Sequence, residues 1–255
     1  MTVQSVLDYL WQLAPLNYKE EFDNVGLLIG RKDRKLTRIL VALDATEAVA
    51  AEAETLGCEL VLTHHPVIFH APKHLTDADP RTGVLLAYLE RGLAVISMHT
   101  NLDCAPGGVN DVLAQRLGLR AVSVQPDGET AGLIRVGEVP ETDLADFAAL
   151  VKARLRCPGL RYAEGGKRVR RVSVGGGACG EFIDRVAAAG CDTFVSADLK
   201  YHQFQDAAVL GLNLIDAGHF ETEDPVCDAL VQKLAARFPE LELLRSAHRD
   251  CIRYL

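Results

Sequence analysis

The stretch ELVLTHHP, residues 59–66, runs a short apolar segment straight into two adjacent histidines and a proline. A segment this brief, apolar throughout and bounded by polar residues, reads as a strand buried on both faces. The flanking sequence repeats the pattern. LTRILVAL (36–43) is followed by helical spacing over 46–56, and LAVISM (93–98) lies between helices predicted at 81–91 and 109–117. Farther on, RVRRVSV (168–174), DTFVS (192–196) and LNLID (212–216) alternate with helices predicted at 180–189, 201–210 and 222–237. Val3, Val6, Leu7, Leu10 and Trp11 recur at helical spacing, so an amphipathic helix opens the chain. The alternation predicts an α/β protein: two similar α/β halves with mostly parallel sheets flanked by helices. The expected division is 1–125 for the first half and 126–255 for a connector and the second half. The connector carries a strand in GLIRVGEV and a helix from about 142 to 154.

Composition narrows the function. The chain has 255 residues, 49% hydrophobic and 24% charged, which is ordinary for a globular protein. A net charge of -8 argues against a nucleic-acid partner, because phosphate binding needs a basic face. The basic run in GGKRVRR (165–171) reads as a solvated strand edge. No apolar run approaches the ~20 residues that span a bilayer, and MTVQSVLDYLWQL lacks the features of a signal peptide. Seven cysteines, none closer than 12 positions to the next, give neither a CxxC motif nor a disulfide framework. A cytoplasmic location is expected.

In α/β sheets, ligands sit beyond the carboxyl ends of strands. Those ends carry THHP, MHTNLD, SADLKYH and DAGHFETE. Each piece has a plain structural alternative. His64 and His65 could be a histidine pair without metal. Asp103 could satisfy turn amides in a loop after His99. Glu223 could answer the dipole of a helix capped by Thr222, with His219 just upstream. Taken together, three or more imidazoles and two carboxylates form a donor set for Zn²⁺, Fe²⁺ or Mn²⁺, whereas Mg²⁺ and Ca²⁺ favour oxygen. Adjacent residues on extended backbone point to opposite sides, so His64 and His65 would suit two neighbouring ions.

The chain resembles the NIF-three-like proteins, whose bacterial members are often labelled GTP cyclohydrolase I type 2 homologues. The resemblance spans DNVGLLIG (23–30), ALDAT (42–46), LTHHP (62–66), MHTNLDCAPGGVND (98–111), VGGGACG (174–180) and DAGHFETE (216–223). It implies a dinuclear centre on His64, His65, Asp103, His219 and Glu223, to which both halves contribute. It places His99 beside that centre. The family often has Thr-Gly-Glu where this chain has Ser196-Ala197-Asp198, an acid one methylene shorter. The inserted domain of some relatives has no room here. A homo-oligomeric, hexameric ring is also implied.

Gly175, Gly177 and Gly180 make a G-x-G-x-x-G pattern between a strand and a helix, with Asp198 beyond it, which could mark an NAD-binding oxidoreductase. On the metal reading the same amides would hold a substrate phosphate. The reading taken is a dinuclear metal-dependent, hydrolase-like protein acting on a nucleotide or related small molecule, with His99, Asp198 and His202 as proton-transfer candidates. The alternative is a non-catalytic metal-binding scaffold.

Overall fold

The computed structural model describes residues 1–125 and 132–255. The chain forms two compact units, Met1–Ala105 with Cys227–Arg249, and Pro106–Val226 with Asp250–Leu255. The division therefore falls some twenty residues before the expected 125/126 boundary, and each unit takes in a later piece of chain. Residues 126–131, where the connector was to begin, lie outside the described residues.

The first unit opens with α1 (Val3–Leu13), capped by the Thr2 side chain, which accepts from the Ser5 amide. Val3, Val6, Leu7 and Leu10 form its buried stripe. There follow β1 (Gly26–Ile29), β2 (Arg38–Ala42), α2 (Glu47–Thr55), β3 (Leu60–Thr63), α3 (Pro80–Glu90), β4 (Ala94–Ser97) and the single turn α4 (Thr100–Cys104). β2, β3 and β4 pair in parallel, and β1 lies antiparallel on β4. Leu40, Ala42, Val61 and Val95 pack with α2 and α3 residues such as Val49, Ala53, Leu85 and Tyr88. The alternate residues Ile39, Val41, Leu60, Leu62 and Ile96 are equally buried, so both faces of this sheet are covered.

The second unit holds α5 (Val109–Leu117), β5 (Arg120–Val124), β6 (Arg135–Thr142), α6 (Leu144–Leu155), β7 (Arg161–Ala163), β8 (Val169–Val174), α7 (Ile183–Ala188), β9 (Thr193–Ser196), α8 (Tyr201–Val209), β10 (Asn213–Asp216) and α9 (His219–Glu223). β8, β9 and β10 are parallel, while β6 on one side and β7 on the other run antiparallel. One apolar cluster gathers α5 and α6 over Val169, Val172 and Val174. That packing draws α5 into this unit and explains the early boundary. Finally α10 (Pro225–Arg237) and β11 (Glu242–Arg245) return the chain to the first unit, where β11 pairs in parallel with β2.

The α/β architecture, with helices flanking two sheets, is as expected. The second sheet is more mixed than a mostly parallel one, because its margins are antiparallel strands that need no crossover helix. The helix predicted over 222–237 is two helices: α9 ends at Glu223 and α10 starts at Pro225. Proline lacks an amide proton and opens a helix rather than continuing one. Among the described residues, no helix is long and apolar enough to cross a membrane.

Candidate metal centre

β3 ends at Thr63, and the amides of both His64 and His65 donate to the Leu43 carbonyl, at 3.1 and 3.0 Å. The backbone thus turns immediately after the strand. The alternation that would send the two rings to opposite sides stops there, and their centroids lie 5.0 Å apart. His99, just beyond β4, brings a third ring within 5.2 Å of His64 and 5.7 Å of His65. One nitrogen from each of these three histidines lies within 4.8 Å of the others, a group able to hold a metal ion. Asp103 adds a carboxylate beside His64. It sits on α4 rather than in a loop, buried, with Oδ1 3.5 Å from Nε2 of the fully buried His64.

In the second unit α9 presents His219 and Glu223 one turn apart, with His219 Nε2 3.0 Å from Glu223 Oε2. Thr222 does not cap the next helix. It lies inside α9 and directs its hydroxyl at the Gly218 and His219 carbonyls, 2.9 Å from each. Its oxygen also accepts the Gly177 amide at 3.0 Å, which joins α9 to the glycine loop after β8.

Every one of these histidines is gripped through Nδ1. His64 donates to the Met98 carbonyl at 2.8 Å, and because a carbonyl only accepts, the Nδ1 proton is fixed. His65 pairs with Asp44 at 2.7 Å, His99 with Asp23 at 2.9 Å, and His219 with Asp198 at 2.8 Å. Burial pushes the Asp23 carboxyl up, but hydrogen bonds from His99 and Thr100 outweigh it and bring the group down to about 2. Asp44 is likewise lowered: burial opposes ionisation, and the His65 hydrogen bond together with the charges of His65 and His248 overcomes it. Both acids are therefore ionised at neutral pH. This arrangement assigns Nδ1 to the protein and leaves Nε2 as the nitrogen that a metal would use, the pattern of metal-binding histidines. Ligand distances of ~2 Å at tetrahedral angles put neighbouring donors roughly 3.3 Å apart, and the His64–Asp103 and His219–Glu223 separations match.

Asp23 and Asp44 were not foreseen as site residues, although both lie in conspicuous motifs, DNVGLLIG and ALDAT. Asp198 pairs with a histidine of α9. It holds His219 from a half-exposed position in the bend after β9, at a left-handed φ of 52°, and is not on a helix face with His202. His202 is exposed on α8 and does not enter the histidine group.

The glycine loop also differs from expectation. The Gly175 amide donates to the Val195 carbonyl, Gly176 to Asn110 Oδ1, Gly177 to Thr222, and Cys179 to Ser196 Oγ at 3.2 Å. The Gly175 and Gly177 amides are thus engaged inside the protein rather than turned to a phosphate, and Gly180 opens a 3₁₀ turn rather than a full helix. The glycines permit close packing instead. A Cβ on Gly175 would meet Ile134 and Cys179, and one on Gly180 would meet Gln203. At Gly177, with φ of 64°, a Cβ would lie 2.2 Å from Glu223 Oε1. The loop makes room for the Glu223 carboxylate.

Known proteins share this chain's design. A relative in Clostridium perfringens, named GTP cyclohydrolase 1 type 2 homolog, is 34% identical over 242 residues, covering 93% of this chain and 92% of its own. A protein of the same name in a Nostoc species is 39% identical over 202 residues, 77% of each. The crystal structure of a Staphylococcus aureus hypothetical protein superposes with a TM-score of 0.93 at 28% identity, over 100% of this chain and 99% of that one. Residues 1–250 match the family described as Duf34/NIF3 (NGG1p interacting factor 3), and with the motifs above this means that the chain belongs to the Duf34/NIF3 family.

Proposed function

We propose that this protein is a dinuclear metal-dependent, hydrolase-like enzyme acting on a nucleotide or related small molecule. His64, His65, Asp103, His219 and Glu223 would together hold two Zn, Fe or Mn ions. The observation that carries the reading is the common grip on Nδ1 of His64, His65 and His219, which prepares each Nε2 as a donor. Mixed imidazole and carboxylate donors suit borderline divalent ions better than Mg²⁺ or Ca²⁺. When bound, a pair of such ions supplies Lewis acidity and lowers the pKa of water.

The chain's own residues do the rest. Asp44 and Asp198 orient His65 and His219. The Met98 carbonyl fixes His64. His99 stands beside the ligands with Nδ1 held by an ionised Asp23, so its other nitrogen is placed to take or return a proton during hydrolysis. The nucleotide reading is supported by the relatives' name, GTP cyclohydrolase 1 type 2 homolog. The same family reading carries a homo-oligomer, a hexameric ring in the cytoplasm, which light scattering on the purified protein tests.

Metal analysis of protein purified without chelator should find about two transition-metal ions per chain. Turnover is then screened against GTP, other nucleotides and phosphoesters. Protein that binds no transition metal rejects the proposal. Full occupancy without turnover on any of them would replace it with the scaffold reading.

A further inference from the structure

Two phenylalanines stand in water beside the histidine group of the first unit. Phe22 is 66% exposed and Phe69 is 40% exposed, and their ring centroids lie 6.2 Å apart at an interplanar angle of 56°. Phe69 in turn meets the His99 ring edge to face, 6.2 Å away at 84°. Single exposed apolar residues are unremarkable. A pair of exposed aromatic rings continuous with three imidazoles is a different matter.

The segment that carries Phe22 is braced rather than loose. The next residue, Asp23, grips His99 Nδ1 and accepts the Thr100 amide at 3.0 Å. The Glu20 amide donates to Thr100 Oγ1 at 3.0 Å, and the Lys19 ammonium donates to the carbonyls of Glu20 and Asp23. Asn24 Nδ2 donates to the Ile68 carbonyl at 2.6 Å, which ties the turn to the segment bearing Phe69. One anchored turn thus fixes the proton-transfer candidate His99 and displays Phe22.

We infer that Phe22 and Phe69 form an open aromatic corner that binds the planar heteroaromatic ring of a purine-type nucleotide. The ring would stack on the face of Phe22 and meet the edge of Phe69, with its functional groups toward His99. A tilt of 56° is too open for a closed sandwich but suits one stacked and one edge contact, the two arrangements aromatic rings favour. The inference rests on the metal-site reading for its neighbourhood, and it names the feature that would select a base over a bare polyphosphate.

The test compares GTP with inorganic tripolyphosphate, which lacks the ring, by calorimetric titration of metal-loaded protein. Phe22→Ala should weaken GTP binding on the order of tenfold, the usual effect of removing a stacked aromatic partner. Phe69→Ala should weaken it less, tripolyphosphate binding should stay unchanged in both, and Phe22→Trp should restore GTP affinity. Metal content is measured in each variant, so loss of metal, which would indict the site reading, is told apart from loss of ring binding alone. Wild-type protein that binds GTP no better than tripolyphosphate overturns the inference. Equal weakening of both probes does so as well. Unchanged GTP affinity with a lower molar mass in light scattering also overturns it, and would make the two rings a contact between copies of the chain.

Discussion

The two units repeat one plan at their strand ends, with different residues in the same places. In the first, β2, β3 and β4 are parallel neighbours and β1 closes on β4 antiparallel; in the second, β8, β9 and β10 are parallel and β7 closes on β10 antiparallel. β4 leads into His99 and α4 with Asp103 four residues on, and β10 leads into His219 and α9 with Glu223 four residues on. Each unit therefore follows its third parallel strand with a one-turn helix and a histidine and an acid at i and i+4, His99 at the N-cap of α4 and His219 inside α9.

The earlier strand ends diverge. After β3 the first unit places His64 and His65, where the second, after β9, places Asp198. After β2 the first unit places Asp44 to hold His65, whereas after β8 the second places glycines that admit the Glu223 side chain. The difference teaches that the position of a strand end supplies the site, while the residue on it decides between ligand, orienting acid and clearance. The first unit gathers three imidazoles at its strand ends, whereas α9 of the second carries one imidazole and one carboxylate.

The parallel can be broken by experiment, and ligand removal should have the largest effect. Asp103→Ala and Glu223→Ala should each lower metal affinity beyond the about 10–100-fold typical of changes outside the ligand set, with circular dichroism unchanged. Each change should also lower the measured ion stoichiometry. Retention of full occupancy after either change would sink the assignment.

Gly177→Ala comes next. A side chain at φ of 64° with its Cβ 2.2 Å from Glu223 Oε1 adds backbone strain to a clash. Denaturant unfolding should show a loss of ~1–3 kcal/mol, and metal should fall with it. Wild-type stability and occupancy together would show that the loop does not set the place of Glu223.

The orienting acids allow a direct test of equivalence. Asp23→Asn, Asp44→Asn and Asp198→Asn keep the side-chain shape but remove the charge that steadies each imidazole. Asp44→Asn and Asp198→Asn should each reduce metal affinity by about 10–100-fold. Asp23→Asn should instead spare the metal and lower turnover. A silent Asp198→Asn, from its half-exposed position, would mean that the second unit does not copy the first in this respect.

His202→Ala should do least. Its side chain is exposed on α8, so stability should change by less than ~0.5 kcal/mol and metal content not at all. A clear loss of metal would return His202 to the site.

Much of this was legible in the chain itself. Short apolar strands alternating with helical spacing determine an α/β protein, because burial on both faces removes the polar alternation that an exposed sheet would show. Reactive residues at strand ends stand out because the strands before them are so apolar, and five of them match one family pattern. The rest depended on tertiary structure. Edge strands such as β7, three residues long, leave too short a run to register as a pattern. Whether the glycine loop binds phosphate or packs depended on where Asn110, Ser196 and Thr222 arrive. The grip on each imidazole joins residues 76 positions apart for Asp23 and His99, and 21 apart for both Asp44 with His65 and Asp198 with His219. Periodicity reports only which face of its own element a residue occupies, so contacts made across such separations leave no trace in it, and folding alone brings those acids to their histidines.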